Sequence, residues 1–318
     1  MRFMPLAAVA VAASLIASCN QPETGTRHEE VADQATWQPA PVDDAVEPSE
    51  TIEAAPDAAW REVAPENLLL MDLADGGRVA IELAPEFAPA HVANIRALAR
   101  AGWWNGAAIY RVQDNYVVQW GVNESDRPLP EGVVKAPPAE YHRALEGLAV
   151  RPLGFPDSYA PMAGHAGGWP IGYEPAGGRA WLAHCYGMVG VGRDLSPDTG
   201  TGGELYAVIG HAPRHLDRNI ATVGRVLSGI EHMTARPRGT EALGFYKEEA
   251  QHIPIARVTL AADLPEGQRP TYEVMRSDSD AFGAYITGRA NRGGDFFDVP
   301  AGGVDLCNAP VPTRTKGT

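Results

Sequence analysis

Two hydrophobic periods organise the middle of the chain. Residues 68–73 form an apolar β-prone run, residues 74–77 (Ala-Asp-Gly-Gly) a turn, and residues 78–83 alternate as Arg-Val-Ala-Ile-Glu-Leu, which is the pattern of a hairpin. Pro85 and Pro89 lead into a stretch where Val92, Ile95, Leu98 and Ala99 recur every three or four residues. That stripe predicts a helix closed by Ala101-Gly102. Trp103-Trp104-Asn105-Gly106 is a turn before a strand that carries Arg111. Further strands are expected over 187–192, 204–210, 221–226 and 253–260, with a tight corner at 215–219 and a second helix starting within 227–233. The succession is that of a mainly β protein.

Three other regions lack this order. Residues 19–62 are rich in Pro, Ala, Glu and Asp without periodicity, and read as a disordered acidic tether. Its coil dimension would be about 35 to 40 Å. Structure is expected to begin at Asn67, within a folded domain over 63–263. Residues 123–180 hold many Gly and Pro and one helical patch at 140–149; so long a stretch inside a compact domain reads as an inserted elaboration. The string Gly164-His165-Ala166-Gly167-Gly168 within it reads as a Gly-rich turn with an exposed His. Residues 264–318 form a C-terminal extension, with extended pieces expected at 272–275 and 284–287.

Composition adds bounds. The 318 residues allow one or two domains, and 45% hydrophobic content suffices for a sizeable core. A net charge of -14 argues against nucleic acid as a partner. The nine His are scattered without paired helical spacing, so neither a metal nor a cofactor is expected. At the N-terminus, Arg2 precedes an Ala/Val/Leu-rich stretch too short for a permanent membrane span. It ends in Leu15-Ile16-Ala17-Ser18-Cys19, which resembles a bacterial lipobox. The resemblance implies removal of residues 1–18 as a signal peptide and acylation of Cys19, a membrane anchor at roughly 0.8 kcal/mol per buried methylene. It places the protein on the periplasmic face of the cell envelope, and Asn20 after the Cys favours the outer membrane over the inner. The remaining cysteines, Cys185 and Cys307, are a disulfide candidate in an oxidising periplasm, with two buried free thiols as the alternative.

The candidate chemistry sits in residues 109–121, Ile-Tyr-Arg-Val-Gln-Asp-Asn-Tyr-Val-Val-Gln-Trp-Gly. A turn at 113–115 separates two β-prone stretches, so Arg111, Tyr116 and Gln119 can be aimed into one shallow cleft. The segment resembles the catalytic segment of cyclophilin-type peptidyl-prolyl isomerases, where an aromatic-His-Arg sequence is followed by a Phe and then by Gln-Gly. The preceding hairpin, helix with Asn94, and Gly-aromatic-aromatic-x-Gly turn match the first half of that family. Its pattern resumes at Gly187-Met188-Val189-Gly190-Val191-Gly192, so the resemblance covers about 67–262, broken by the insertion. It implies a closed antiparallel eight-stranded barrel capped by two helices, carrying the insertion and the C-terminal extension as additions.

The implied reaction is rotation about an X-Pro bond, against a barrier near 18 to 20 kcal/mol. A fixed cation near the imide nitrogen favours the twisted form, in which the nitrogen lone pair is localised. The resemblance gives that role to Arg111, and to Gln119 the holding of the substrate backbone. Tyr116, Val117, Tyr206 and Leu216 take the walls of the proline pocket, and Gly192, Glu204 and Ile220 line the cleft beside them. Several positions depart from the family. Tyr110 replaces the His before the Arg, Glu204 a Gln, Ile220 a His, and His215 the Trp that many members use for cyclosporin-type ligands; Arg193 stands near the usual Asn. Each lost polar contact to the peptide is worth about 0.5 to 1.5 kcal/mol. Glu204 is also a candidate to pair with Arg111. The expectation is an isomerase that acts on proline-containing unfolded or exported polypeptides and assists their folding. The alternative is a weak or inactive binding module of the envelope. A hydrolase built on His184 with Cys185 lacks an orienting third group in the sequence.

Overall fold

A computed structural model describes residues 46–122, 127–293 and 296–316. The signal peptide, Cys19 and most of the tether lie outside the described residues. The end of the expected tether is ordered, which corrects its boundary at residue 62. Helix α1 (Pro48–Glu53) and strand β1 (Trp60–Glu62) precede the barrel. Their local composition favours coil, but Ala59 and Trp60 are buried against Met275, Phe282 and Tyr285 of the C-terminal extension. That long-range apolar burial outweighs the local preference.

The barrel begins with β2 (Leu68–Leu73), β3 (Arg78–Leu83), helix α2 (Pro89–Arg100), β4 (Ala108–Val112) and β5 (Val117–Gly121). The insertion then carries β6 (Arg143–Ala144), β7 (Val150–Pro152), β8 (Met162–Ala166), β9 (Trp169–Glu174) and β10 (Arg179–Leu182). The barrel resumes with β11 (Met188–Val191), β12 (Glu204–Val208), β13 (Thr222–Ser228), the one-turn helix α3 (Glu231–Thr234) and β14 (Ile253–Leu260). The extension supplies β15 (Tyr272–Met275), α4 (Asp280–Ala290) and β16 (Thr313–Thr315). Eight strands close in the order β11-β12-β5-β4-β14-β2-β3-β13, and β13 pairs back onto β11. The fold is therefore the mainly β, closed antiparallel barrel that the family pattern implies.

Alternation fills the interior. Leu69, Met71 and Leu73 of β2, Val79, Ile81 and Leu83 of β3, and Val118 and Trp120 of β5 point inward. They pack with Val92, Ile95 and Leu98, the apolar stripe of α2. Helix α2 starts with proline in its first turn, where the missing N–H costs nothing. The second helix is only one turn, because β13 runs on to Ser228.

The insertion is a five-stranded sheet in the order β6-β10-β9-β8-β7. The helix expected at 140–149 is absent. Arg143 and Ala144 pair with β10 instead, and Gly147 takes a positive φ of 77°, which a helix interior does not accommodate. His165 is not an exposed turn residue but a fully buried member of β8. Trp169, Ile171 and Leu182 of this sheet pack on the outer face of the barrel, against Val117, Met188 and Tyr206. In the extension, 272–275 is extended as expected. Residues 284–287 instead lie in α4, whose start is capped by Ser279 accepting from the Phe282 N–H at 3.1 Å. A disulfide joins Cys185, just before β11, to Cys307 in the extension, with Cα atoms 4.8 Å apart and a sequence separation of 122. Closing a loop of that size contributes about 5 kcal/mol in the chain-entropy model.

Candidate active site

A bulge in β4 builds the candidate face. The register shifts between Ile109 and Arg111, so Tyr110 and Arg111 both turn away from the barrel interior while Ile109 and Val112 stay within it. Across the sheet Arg111 stands opposite Gln119 of β5, and Gln119 opposite Tyr206 of β12. One row of side chains on the outer surface thus spans three strands.

Neutral acceptors hold Arg111. Its Nη1 donates to Gln119 Oε1 at 2.8 Å, Nη2 to Gln113 Oε1 at 2.5 Å, and Nε to the Leu243 carbonyl at 2.7 Å. The Phe245 ring lies 5.3 Å from the guanidinium carbon and the Tyr116 ring 5.9 Å. Burial lowers the Arg111 pKa, and the surrounding phenols partly offset that. An arginine starts high enough to remain charged at neutral pH. Glu204 does not pair with Arg111. It accepts the hydroxyl hydrogen of Tyr110, whose pKa is pushed up by burial first and by the Glu204 charge second.

Beside the guanidinium lies an apolar cluster. Tyr116, Val117, Tyr206, Leu216 and Ile220 belong to one cluster on the outer face. Tyr206 is buried, and a Cβ at Gly190 would come within 2.2 Å of its oxygen, so glycine there makes room for the ring. A Cβ on Gly192 would sit 3.2 Å from Gln119 Nε2, which places Gly192 at the edge of the same cleft. His215 stacks on Tyr116 with centroids 5.7 Å apart, and its Nε2 is 3.1 Å from the phenol oxygen. The expected site residues Arg111, Tyr116, Val117, Gln119, Gly192, Glu204, Tyr206, Leu216 and Ile220 are thus gathered on the outer face of the barrel. Among the described residues no group of three His, Cys, Asp or Glu is placed to hold a metal.

Two features escape the sequence patterns. Leu243 and Phe245 reach Arg111 from the loop between α3 and β14; Gly239 and Gly244 mark a tight turn there, but nothing local says that it crosses β4. The second is a buried polar chain. The Tyr206 hydroxyl is 2.9 Å from His184 Nε2, and His184 Nδ1 is 3.0 Å from Asp217 Oδ1. Asp217 Oδ2 accepts from Arg214 Nε at 2.9 Å, and the other two Arg214 nitrogens donate to Asp157 at 2.8 and 3.0 Å. Burial pushes the Asp217 carboxyl up, but the His184 hydrogen bond and the Arg214 charge outweigh it and hold the pKa below its ordinary value. His184 thus has an orienting group after all. Cys185 is in the disulfide and is no nucleophile.

The family model described as cyclophilin type peptidyl-prolyl cis-trans isomerase/CLD matches residues 68–259. The chain belongs to this family. Relatives named "Probable peptidyl-prolyl cis-trans isomerase" in Brucella suis biovar 1 (strain 1330) and Brucella abortus (strain 2308) are 28% and 27% identical over 183 residues, which is 56% of this chain and 75% of theirs. The crystal structure of cyclophilin AquaCyp293 from Hirschia baltica shares the fold, with a TM-score of 0.66 at 24% identity. That match covers 84% of this chain and 96% of the other, more than the family domain alone. As a cyclophilin the chain is an isomerase of the X-Pro peptide bond.

Proposed function

We propose that this isomerase works through Arg111, on proline-containing segments of unfolded exported polypeptides, from a lipid anchor at Cys19 on the periplasmic face of the envelope, in the outer membrane. The observation that carries the mechanism is a fixed guanidinium, uncompensated by any carboxylate among the described residues, at the edge of the apolar cluster of Tyr116, Val117, Tyr206, Leu216 and Ile220 that would supply the proline notch. The proline ring enters the notch. Gln119 holds the peptide backbone on one side of the bond. Arg111 then donates toward the imide nitrogen as its lone pair localises, an interaction that is strong only in the twisted state and so lowers the barrier.

The test is an isomerisation assay on a proline-containing peptide. Arg111→Ala is expected to lower kcat/KM by about 10² to 10³ with the fold intact by circular dichroism. Arg111→Lys should rescue little, since a point charge cannot reproduce the three-way hold. Wild-type activity in the folded Arg111→Ala protein would refute the role. For the anchor, Cys19→Ser should move the protein from the membrane to the soluble fraction.

A binding module without turnover is the second reading. It draws on Tyr110–Glu204 and Tyr116–His215, where cleft groups satisfy each other rather than a peptide. Peptide affinity with no acceleration would select it.

A further inference from the structure

Tyr206 presents a ring to the notch, but its hydroxyl points elsewhere, into the buried chain that starts at His184. A buried phenol O–H needs a partner, or it costs its desolvation. Asp217 supplies the condition for one. Its carboxylate accepts from His184 Nδ1, and also from the His184 backbone N–H at 2.9 Å. That fixes the tautomer in which Nε2 carries a lone pair, so Tyr206 donates and His184 accepts.

The rest of the chain holds this pair still. Arg214 bridges Asp217 and Asp157, and the exposures of the three side chains are 1%, 3% and 3%. Such a buried ionic cluster adds little stability over well-packed apolar residues, but every member constrains the geometry of the next. Its origins are as telling as its contacts. Asp157 comes from the insertion, and Cys185, adjacent to His184, is tied to Cys307 of the C-terminal extension. Leu216 and Ile220, the far wall of the notch, flank Asp217 on the same short segment. Both additions to the barrel therefore converge on one hydroxyl and one wall.

We propose that His184 and Asp217 are positioning residues for peptide binding, that they set the Tyr206 ring in the proline pocket, and that the insertion and the extension serve to lock them. The proposal rests on Tyr206 being a wall of that pocket.

The test is a double-mutant cycle on the full chain, read as the dissociation constant of a short Ala-Pro-containing peptide by NMR titration, with the exchange rate at saturating peptide read alongside. His184→Leu is expected to weaken binding about fivefold while changing the saturated exchange rate by less than about twofold. His184→Gln, whose amide oxygen can accept from the phenol, should restore most of the affinity. In a Tyr206→Phe background, His184→Leu should cause no further loss, because the hydroxyl through which it acts is gone. Equal losses in both backgrounds would overturn the proposal, as would unchanged affinity with only a lowered melting temperature. If His184→Leu does not fold, His184→Phe, a ring of similar shape without an acceptor, with and without Tyr206→Phe closes the same cycle. Arg111→Ala separates the two claims: it should lose turnover and keep the affinity. A wild type that binds without turnover sinks the isomerase mechanism and leaves this cycle decisive. A wild type that binds no proline peptide sinks both.

Discussion

At one end of the cleft Arg111 meets two glutamine oxygens, a backbone carbonyl and two aromatic faces. At the other, Tyr206 rests on a histidine, two carboxylates and a guanidinium, all buried. The proposed roles of the two ends account for the difference. A cation that stabilises a transition state must keep its field, and a carboxylate partner would cancel it before the substrate arrived. A wall has no field to keep, so it can be fixed by charges that satisfy one another. Removing a charge should therefore damage the two ends differently: turnover at the first, stability at the second.

The sharpest break is Arg214→Met. It leaves Asp157 and Asp217 buried and facing each other without a counter-charge, at a cost of about 3 to 5 kcal/mol. Urea unfolding would measure it, and a loss under about 1 kcal/mol would mean that water or rearrangement already screens the cluster. The pH dependence has a defined sign. Because the Asp217 carboxyl is held below its ordinary range in the folded state, its stabilisation is fully present above about pH 4 and is lost as pH falls below that. The gap between wild type and variant should narrow in that acid range.

The two ends also differ in how far short-range pattern reports them. The alternation of 78–83, the stripe of α2 and the spacing of Arg111, Tyr116 and Gln119 are local signals, and one hairpin, β4 to β5, assembles the whole motif. The wall end draws on residues 157, 184, 206, 214, 217 and 307, and no window of a dozen residues holds more than three of them. Where local pattern misled, a distant contact won. Residues 140–149 pair with β10, Trp60 packs on Phe282, and Ser279 caps a helix over a stretch that reads as extended. Phe245 was invisible for the same reason, since only the folded chain brings its loop across β4.

His165 carries the comparison into the insertion. It is fully buried, with no carboxylate among the described residues to support a charge; its Nε2 is 3.2 Å from the Ala309 carbonyl and its ring is edge-on to Phe282. Burial, the largest influence, lowers its pKa to about 4. The unfolded chain takes up a proton near pH 6.5, which the folded chain refuses until about pH 4, so stability declines as pH falls through that window. The decline attributable to this one group is on the order of 2 to 3 kcal/mol. His165→Leu should flatten it, measured as urea midpoints between pH 7 and 4. Parallel curves for wild type and variant would mean that His165 titrates as freely as an exposed histidine.

The mildest perturbation returns to the Arg111 end. Phe245 covers the guanidinium at 5.3 Å and stacks on Tyr110 at 6.0 Å, and the loop that delivers it bends through Leu243 and Gly244 at φ values of 59° and 80°. The ring is partly exposed, so its attraction for the cation is worth about 0.5 to 1 kcal/mol. Phe245→Leu keeps the Leu243 carbonyl as acceptor for Nε and removes only the aromatic face. The expected result is a two- to fivefold fall in kcat/KM, by the usual conversion of about 1.4 kcal/mol per tenfold. A fall beyond tenfold would mean that the ring also holds the loop, and with it the Leu243 oxygen, in place. In that case Leu243 and Phe245 act as one clamp, and the neutral end of the cleft depends on its covering loop as much as the charged end depends on Arg214.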